Sequence, residues 1–137
     1  MKRHIPKLIV ICILIFVVSC IMINRNYKTT DIYPEFSAEI SQISIHYGNG
    51  ISNTITDTET INKITNCVLE LNLKRYYFYD LRNKPRSGVG YGIEFYNGSN
   101  ISMSIAFKES KVLSINGKLY SIDNTDLHEL ISSTYQN

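Results

Sequence analysis

Nucleophilic catalysis needs a hydroxyl or thiol within reach of a general base, and the chain has three histidines to serve as that base. His4 precedes the apolar N-terminal run, which leaves His46 and His128. His46 sits in an alternating apolar/polar segment at an outward position, and His128 takes the outward side of a helical pattern, so both read as solvated surface residues. Cys67 lies beside an apolar helix face and reads as a small buried hydrophobe rather than a reactive thiol. Zinc needs clustered cysteine and histidine at short spacings, and the sequence has no such cluster. Asp123, Asn124 and Asp126 are spaced wrongly for a calcium loop, lack its central glycine and its closing glutamate, and suit helix capping better. Gly88, Gly90 and Gly92 lead into a strand, not a helix, so they make no phosphate cradle. A carboxylate pair across strands, Asp80 with Glu94, is the remaining arrangement with acid–base potential. The expectation is a non-enzymatic protein with no cofactor and no metal.

One segment has the residue types of a binding surface. Residues 74–86 contain Lys74, Arg75, Arg82, Lys84 and Arg86, together with the four consecutive aromatics Tyr76, Tyr77, Phe78 and Tyr79. Cations beside ring faces suit single-stranded nucleic acid, sugar rings, or an anionic polymer or lipid headgroup. The plainer reading is a strand with core aromatics and a solvated basic loop. Alternation still sends two of the four aromatics to each sheet face. Tyr77, Tyr79, Arg82, Lys84 and Arg86 form the candidate ligand-contact patch.

The elements that would position these residues are legible from pattern. Ile43, Ile45 and Tyr47 alternate with Ser44 and His46 as a half-buried strand, Gly48-Asn49-Gly50 makes a turn, and residues 51–55 form a second strand. Thr56 and Glu59 have capping-box spacing, and Ile61, Ile64, Val68 and Leu71 recur on one helical face that ends near Asn72. Tyr91, Ile93 and Phe95 alternate, as do Ile101, Met103, Ile105 and Phe107. Asn116-Gly117 between two apolar runs is a hairpin signal. Asp123 to Asp126 offer caps for a last helix whose apolar face is Leu127, Leu130, Ile131 and Tyr135. The pattern predicts an α+β fold: an antiparallel β-meander of about five to seven strands, with two helices covering one face, preceded by an N-terminal hydrophobic helix.

That N-terminal segment is the most specific feature. Lys2, Arg3 and Lys7 precede residues 8–23, whose single polar side chain is Ser19. Residues 1–23 thus carry +3, whereas the remainder has 11 basic against 12 acidic residues, a net −1. A near-neutral domain argues against a nucleic-acid partner, which needs a concentrated positive field. Charge before an apolar run keeps the start cytoplasmic and sends the rest outward. Residues 1–23 therefore read as signal peptide or signal-anchor, residues 24–37 as a polar tether whose far end packs on the domain, and residues 38–137 as an extracytoplasmic α+β domain. Val17-Val18-Ser19-Cys20 resembles the bacterial lipobox, which makes Cys20 the lipidation candidate. Valine stands where leucine is usual there, and Ile21-Met22-Ile23 continues the apolar run. The rival is an uncleaved anchor helix, for which sixteen residues at about 1.5 Å each fall short of a hydrocarbon core of about 30 Å. A single cysteine beyond the leader makes no internal disulfide, so the core must hold the domain.

Isoleucine occurs 21 times, asparagine 13 times and alanine twice, a bias that points to an A/T-rich bacterial genome. The runs ITDTETINKITNCVLELN, YGIEFYNGSNISMSIAF, VLSINGKLYSID and DLHELISS resemble small uncharacterised lipoproteins and membrane-anchored proteins of Gram-positive bacteria, over residues 38–135. The resemblance implies a domain of unknown function and transfers no catalytic residue. The expected function is a membrane-tethered binding or accessory module, its partner an envelope protein or anionic wall polymer, with oligomeric state open. The alternative is an immunity or inhibitor protein that blocks a protein partner at the cell surface.

Overall fold

The computed structural model describes residues 5–37, 39–76 and 90–134. An apolar helix, α1 (Ile5–Ile23), is followed by β1 (Asn26–Lys28), a single turn α2 (Thr29–Ile32) and a 3-10 turn at Pro34–Ser37. Then come β2 (Gln42–Tyr47), β3 (Ser52–Ile55), α3 (Thr58–Leu69), β4 (Asn72–Arg75), β5 (Tyr91–Asn97), β6 (Asn100–Glu109), β7 (Val112–Ile115), β8 (Lys118–Ile122) and α4 (Asp126–Thr134). The α+β class stands. The described residues form one eight-stranded sheet, somewhat more than the five to seven strands expected, in the order β1-β4-β8-β7-β6-β5-β2-β3 with antiparallel neighbours throughout.

Helix α1 has 19 residues, three more than the apolar run alone, because it begins at Ile5. At about 1.5 Å per residue it is ~28 Å long, close to the ~30 Å hydrocarbon core. Residues Pro6–Ile23 have a mean hydropathy of 2.8, and none of that span is buried among the described residues. The helix is long and apolar enough to anchor the chain in a membrane.

The core lies on one sheet face. Ile43, Ile45, Ile93, Phe95, Ile105, Leu113 and Tyr120 point inward from successive strands and meet Ile61, Ile64 and Val68 of α3 and Leu127 and Ile131 of α4. Helix α3 starts one residue later than the capping-box spacing suggests: Asp57, not Thr56, is the cap, accepting from the Thr60 N–H at 2.8 Å. A carboxylate there also meets the positive end of the helix dipole, and the hydrogen bond holds its pKa low. The Asn116-Gly117 hairpin forms as expected, with φ of 47° and 81° and Ile115 opposite Lys118. Positive φ at both central residues matches the strand twist and suits asparagine followed by glycine.

Two local expectations are corrected. Ile101 pairs with Tyr96 because a bulge between Phe95 and Tyr96 inserts Ser102 as an extra residue. This turns Ile101 away from the core, where it is 54% exposed, while Met103, Ile105 and Phe107 stay inside. His128 is not a freely solvated helix residue. Its ring packs 5.4 Å from Tyr91 and 5.8 Å from Phe107, and its carbonyl accepts from the Tyr91 hydroxyl at 3.2 Å.

Residues 24–37 hold more structure than their polar, aperiodic sequence suggests. β1 pairs with β4, with Tyr27 opposite Leu73. Thr29 is fully buried and donates its hydroxyl to the Val68 carbonyl at 2.6 Å. The Tyr33 hydroxyl donates to Ile115 O at 3.1 Å, and Phe36, 1% exposed, packs edge-on against Phe95 at 5.0 Å. Side chains of this segment pack on the domain from Tyr27 to Phe36.

Candidate functional site

The face of the sheet opposite the core is polar, and at β2, β3 and β5 its side chains are organised by one another. The register sets Ser44 between Thr54 and Glu94, and His46 between Ser52 and Gly92. Because Gly92 has no side chain, the His46 ring can lean diagonally toward Glu94. His46 Nε2 lies 3.3 Å from Glu94 Oε2 and 3.4 Å from Ser44 Oγ, while Nδ1 lies 2.9 Å from Ser52 Oγ. The Tyr96 hydroxyl donates to the same Glu94 oxygen at 2.6 Å. With Nε2–H facing the carboxylate, the neutral ring accepts the Ser52 proton at Nδ1.

The electrostatics follow from these contacts. The Tyr96 hydroxyl and, after it, His46 hold the Glu94 carboxyl below its ordinary pKa, and the same carboxylate raises that of Tyr96. Glu94 is therefore ionised across the neutral range and serves as a fixed acceptor. Hydroxyl, imidazole and carboxylate thus stand in the order of a nucleophile, a base and an orienting acid. The His46 side chain is 47% exposed and Ser52 is exposed, while Glu94 is partly covered and Ser44 is buried, so the row opens to water at its His46–Ser52 end. Side chains so placed can donate and accept hydrogen bonds at the sheet surface.

The residues singled out from sequence fall in several places. Cys20 is in the last part of α1, which continues unbroken to Ile23. Tyr77, Tyr79, Arg82, Lys84 and Arg86 lie outside the described residues, as does Asp80, so the structure brings Glu94 together with His46 and Tyr96. Cys67 is half-buried against the core, and burial, with Asp126 and Glu70 nearby, pushes its thiol pKa up. The thiol stays protonated, as a packing residue would. Among the described residues no group of three histidine, cysteine or acidic side chains could hold a metal. Asp123 accepts from the Asn72 amide at 2.9 Å, and Thr125 bonds Glu129 at 2.6 Å beside the start of α4.

Sequence reading placed Ser44, His46, Glu94 and Tyr96 on outward positions but did not join them. The missing information is that β2 lies beside β5, across more than forty residues of chain. The one available signal was Gly92 within an otherwise strand-forming run, which marks close approach by a neighbour.

No protein family matches the chain, and neither does any curated protein or any solved structure.

Proposed function

We propose that this chain is a membrane-tethered, extracytoplasmic binding or accessory module that engages its partner through the outer face of the sheet at β2, β3 and β5. One observation carries the reading. An apolar helix left unburied by the described residues leads, after two residues, into a sheet whose outer face presents a pre-ordered row of hydrogen-bonding side chains, open to solvent at His46 and Ser52. Pre-ordering removes rotamer entropy that a ligand would otherwise have to overcome. The partner class is an envelope protein or an anionic wall polymer, and the basic residues Arg82, Lys84 and Arg86 are a second contact to the same partner.

The lipobox-like sequence supports Cys20 as a lipid attachment point. The unbroken course of α1 through Cys20, at nearly the span of a bilayer core, favours the second reading, an uncleaved single-pass anchor. Intact mass of the membrane form separates the two: a diacylated chain starting at Cys20, or one that retains its first residues. Outward orientation predicts that protease added to intact cells removes the domain, and full protection would overturn it. Substituting His46→Ala and Glu94→Gln together is expected to reduce capture of the partner at least tenfold with the fold retained. Unchanged capture would remove the outer face from the proposal.

A further inference from the structure

Only Asn24 and Arg25 separate α1 from β1. At 3.8 Å between successive Cα atoms, β1 starts within about 12 Å of the helix end, or within ~23 Å of Cys20 if the chain begins there. On the membrane tether proposed above, the β1–β4 edge is therefore held at the lipid surface under either reading of Cys20.

The chemistry of that edge matches its position. Residues 24–28 and 72–76 contain Arg25, Lys28, Lys74 and Arg75 and no acid. The register puts Asn26 opposite Lys74 and Lys28 opposite Asn72, so both lysines share the outer face. Arg25 lies over the Tyr27 ring, 5.2 Å from its centroid, and Tyr76 is 42% exposed. Tyrosines beside cations are the residues that settle at headgroup level. Two neighbouring carboxylates hydrogen-bond to the edge itself, Asp31 accepting from the Lys28 backbone N–H at 2.9 Å and Asp123 from the Asn72 amide, and the four cations outnumber these two. The Lys28 ammonium donates to the Glu70 carbonyl at 3.2 Å, which leaves its charge uncompensated by that contact. Asn26, Asn72, Lys74, Ser121, Ile122 and Asp123 line a cavity of about 200 Å³ on this edge. The Lys74 ammonium and the Asn26 amide supply donors that a phosphodiester accepts from, beside the Asp123 carboxylate to which Asn72 donates.

We propose that the β1–β4 edge is a docking surface for anionic phospholipid headgroups of the membrane that holds the chain, so that the sheet stands on this edge. The β2–β3 edge, seven strand spacings or roughly 33 Å away, then points from the bilayer with the His46–Glu94 row displayed.

The test is hydrogen exchange on the full chain in phosphatidylcholine vesicles, with and without phosphatidylglycerol. Amides of β1 and β4 are expected to exchange severalfold more slowly when the anionic lipid is present, and those of β3 equally in both. Salt at about 1 M, where the screening length falls to about 3 Å, should abolish the difference. The Arg25→Gln, Lys28→Gln, Lys74→Gln, Arg75→Gln variant should abolish it too, each cation being worth about fivefold in affinity. Persisting protection in β5 and β6 certifies its fold, and should that be lost, the salt titration of the unsubstituted chain decides. A chain that co-floats with the vesicles but exchanges identically in both lipids overturns the docking surface and leaves the tether standing. Failure to co-float with either vesicle overturns both.

Discussion

The two edges of the sheet are both short antiparallel strands, and they differ in charge. At the edge beside α1, residues 24–28 and 72–76 carry four basic side chains and no acid. At the far edge, residues 42–55 hold no lysine, arginine, aspartate or glutamate and a single histidine, and β3 exposes Ser52, Asn53 and Thr54. Open edges invite pairing with other chains, and short, charged or polar strands suppress this. Here the suppression is achieved in two ways: by charge near the apolar helix, and by short polar side chains at the end that carries the organised cluster. The contrast teaches that the molecule is polarised along its sheet. Basic charge is concentrated at one end and the His46–Glu94 row lies toward the other, whereas residues 27–36 pack across the sheet, from β4 through Ile115 of β7 to Phe95 of β5.

The comparison can be broken most sharply at Phe36, the buried ring through which the segment after α1 reaches Phe95. Phe36→Ala is expected to cost about 3–5 kcal/mol in denaturant unfolding. A loss below about 1 kcal/mol would show that residues 24–37 are a slack tether after all. Thr29→Val keeps shape but removes the shorter of two hydrogen bonds to the Val68 carbonyl, the Leu71 N–H remaining at 3.3 Å, with an expected loss of about 0.5–1.5 kcal/mol. The same method reads it, and no change would mean that water replaces the bond. The smallest effect belongs to the far edge. Glu94→Gln should cost less than about 1 kcal/mol at neutral pH, because the His46 contact is exposed. Its pH dependence is more telling than its size. The folded pKa of Glu94 lies below the unfolded value, so its stabilisation is complete above the ordinary carboxylate pKa of 4.5 and is lost as pH falls through the folded value. Stability curves of Glu94→Gln and the unsubstituted chain should accordingly converge in strong acid. A constant offset at all pH values would assign the effect to shape rather than to charge.

Much of the fold was legible because it is written in local periods. The 3.6-residue repeat of Ile61, Ile64 and Val68, the alternation in β2, β5 and β6, and the Asn116-Gly117 turn each depend on residues a few positions apart. Where reading failed, a contact from a distant element had intervened. Ile101 fits its strand's alternation, yet a bulge set by pairing with β5 turns it outward. His128 fits a solvated helix face, yet Tyr91 and Phe107 come beneath it from strands some twenty to forty residues earlier. The candidate site shows the same division. Outward placement of His46 and Glu94 was readable, but their 3.3 Å approach was not.

The sequence alone therefore determined the apolar anchor-like helix, the α+β class, most helices and hairpins, and which face of each strand is polar, all consequences of spacing along the chain. Tertiary structure alone decided the strand order. Helix α3 carries the chain from β3 at one edge to β4 beside the other, and residues 26–28 add the eighth strand there. Strand order depends on non-local pairing, in which a strand's pattern specifies its buried face but not its neighbour. That choice gathered four cations at the edge nearest the anchor and set His46 beside Glu94 at the other.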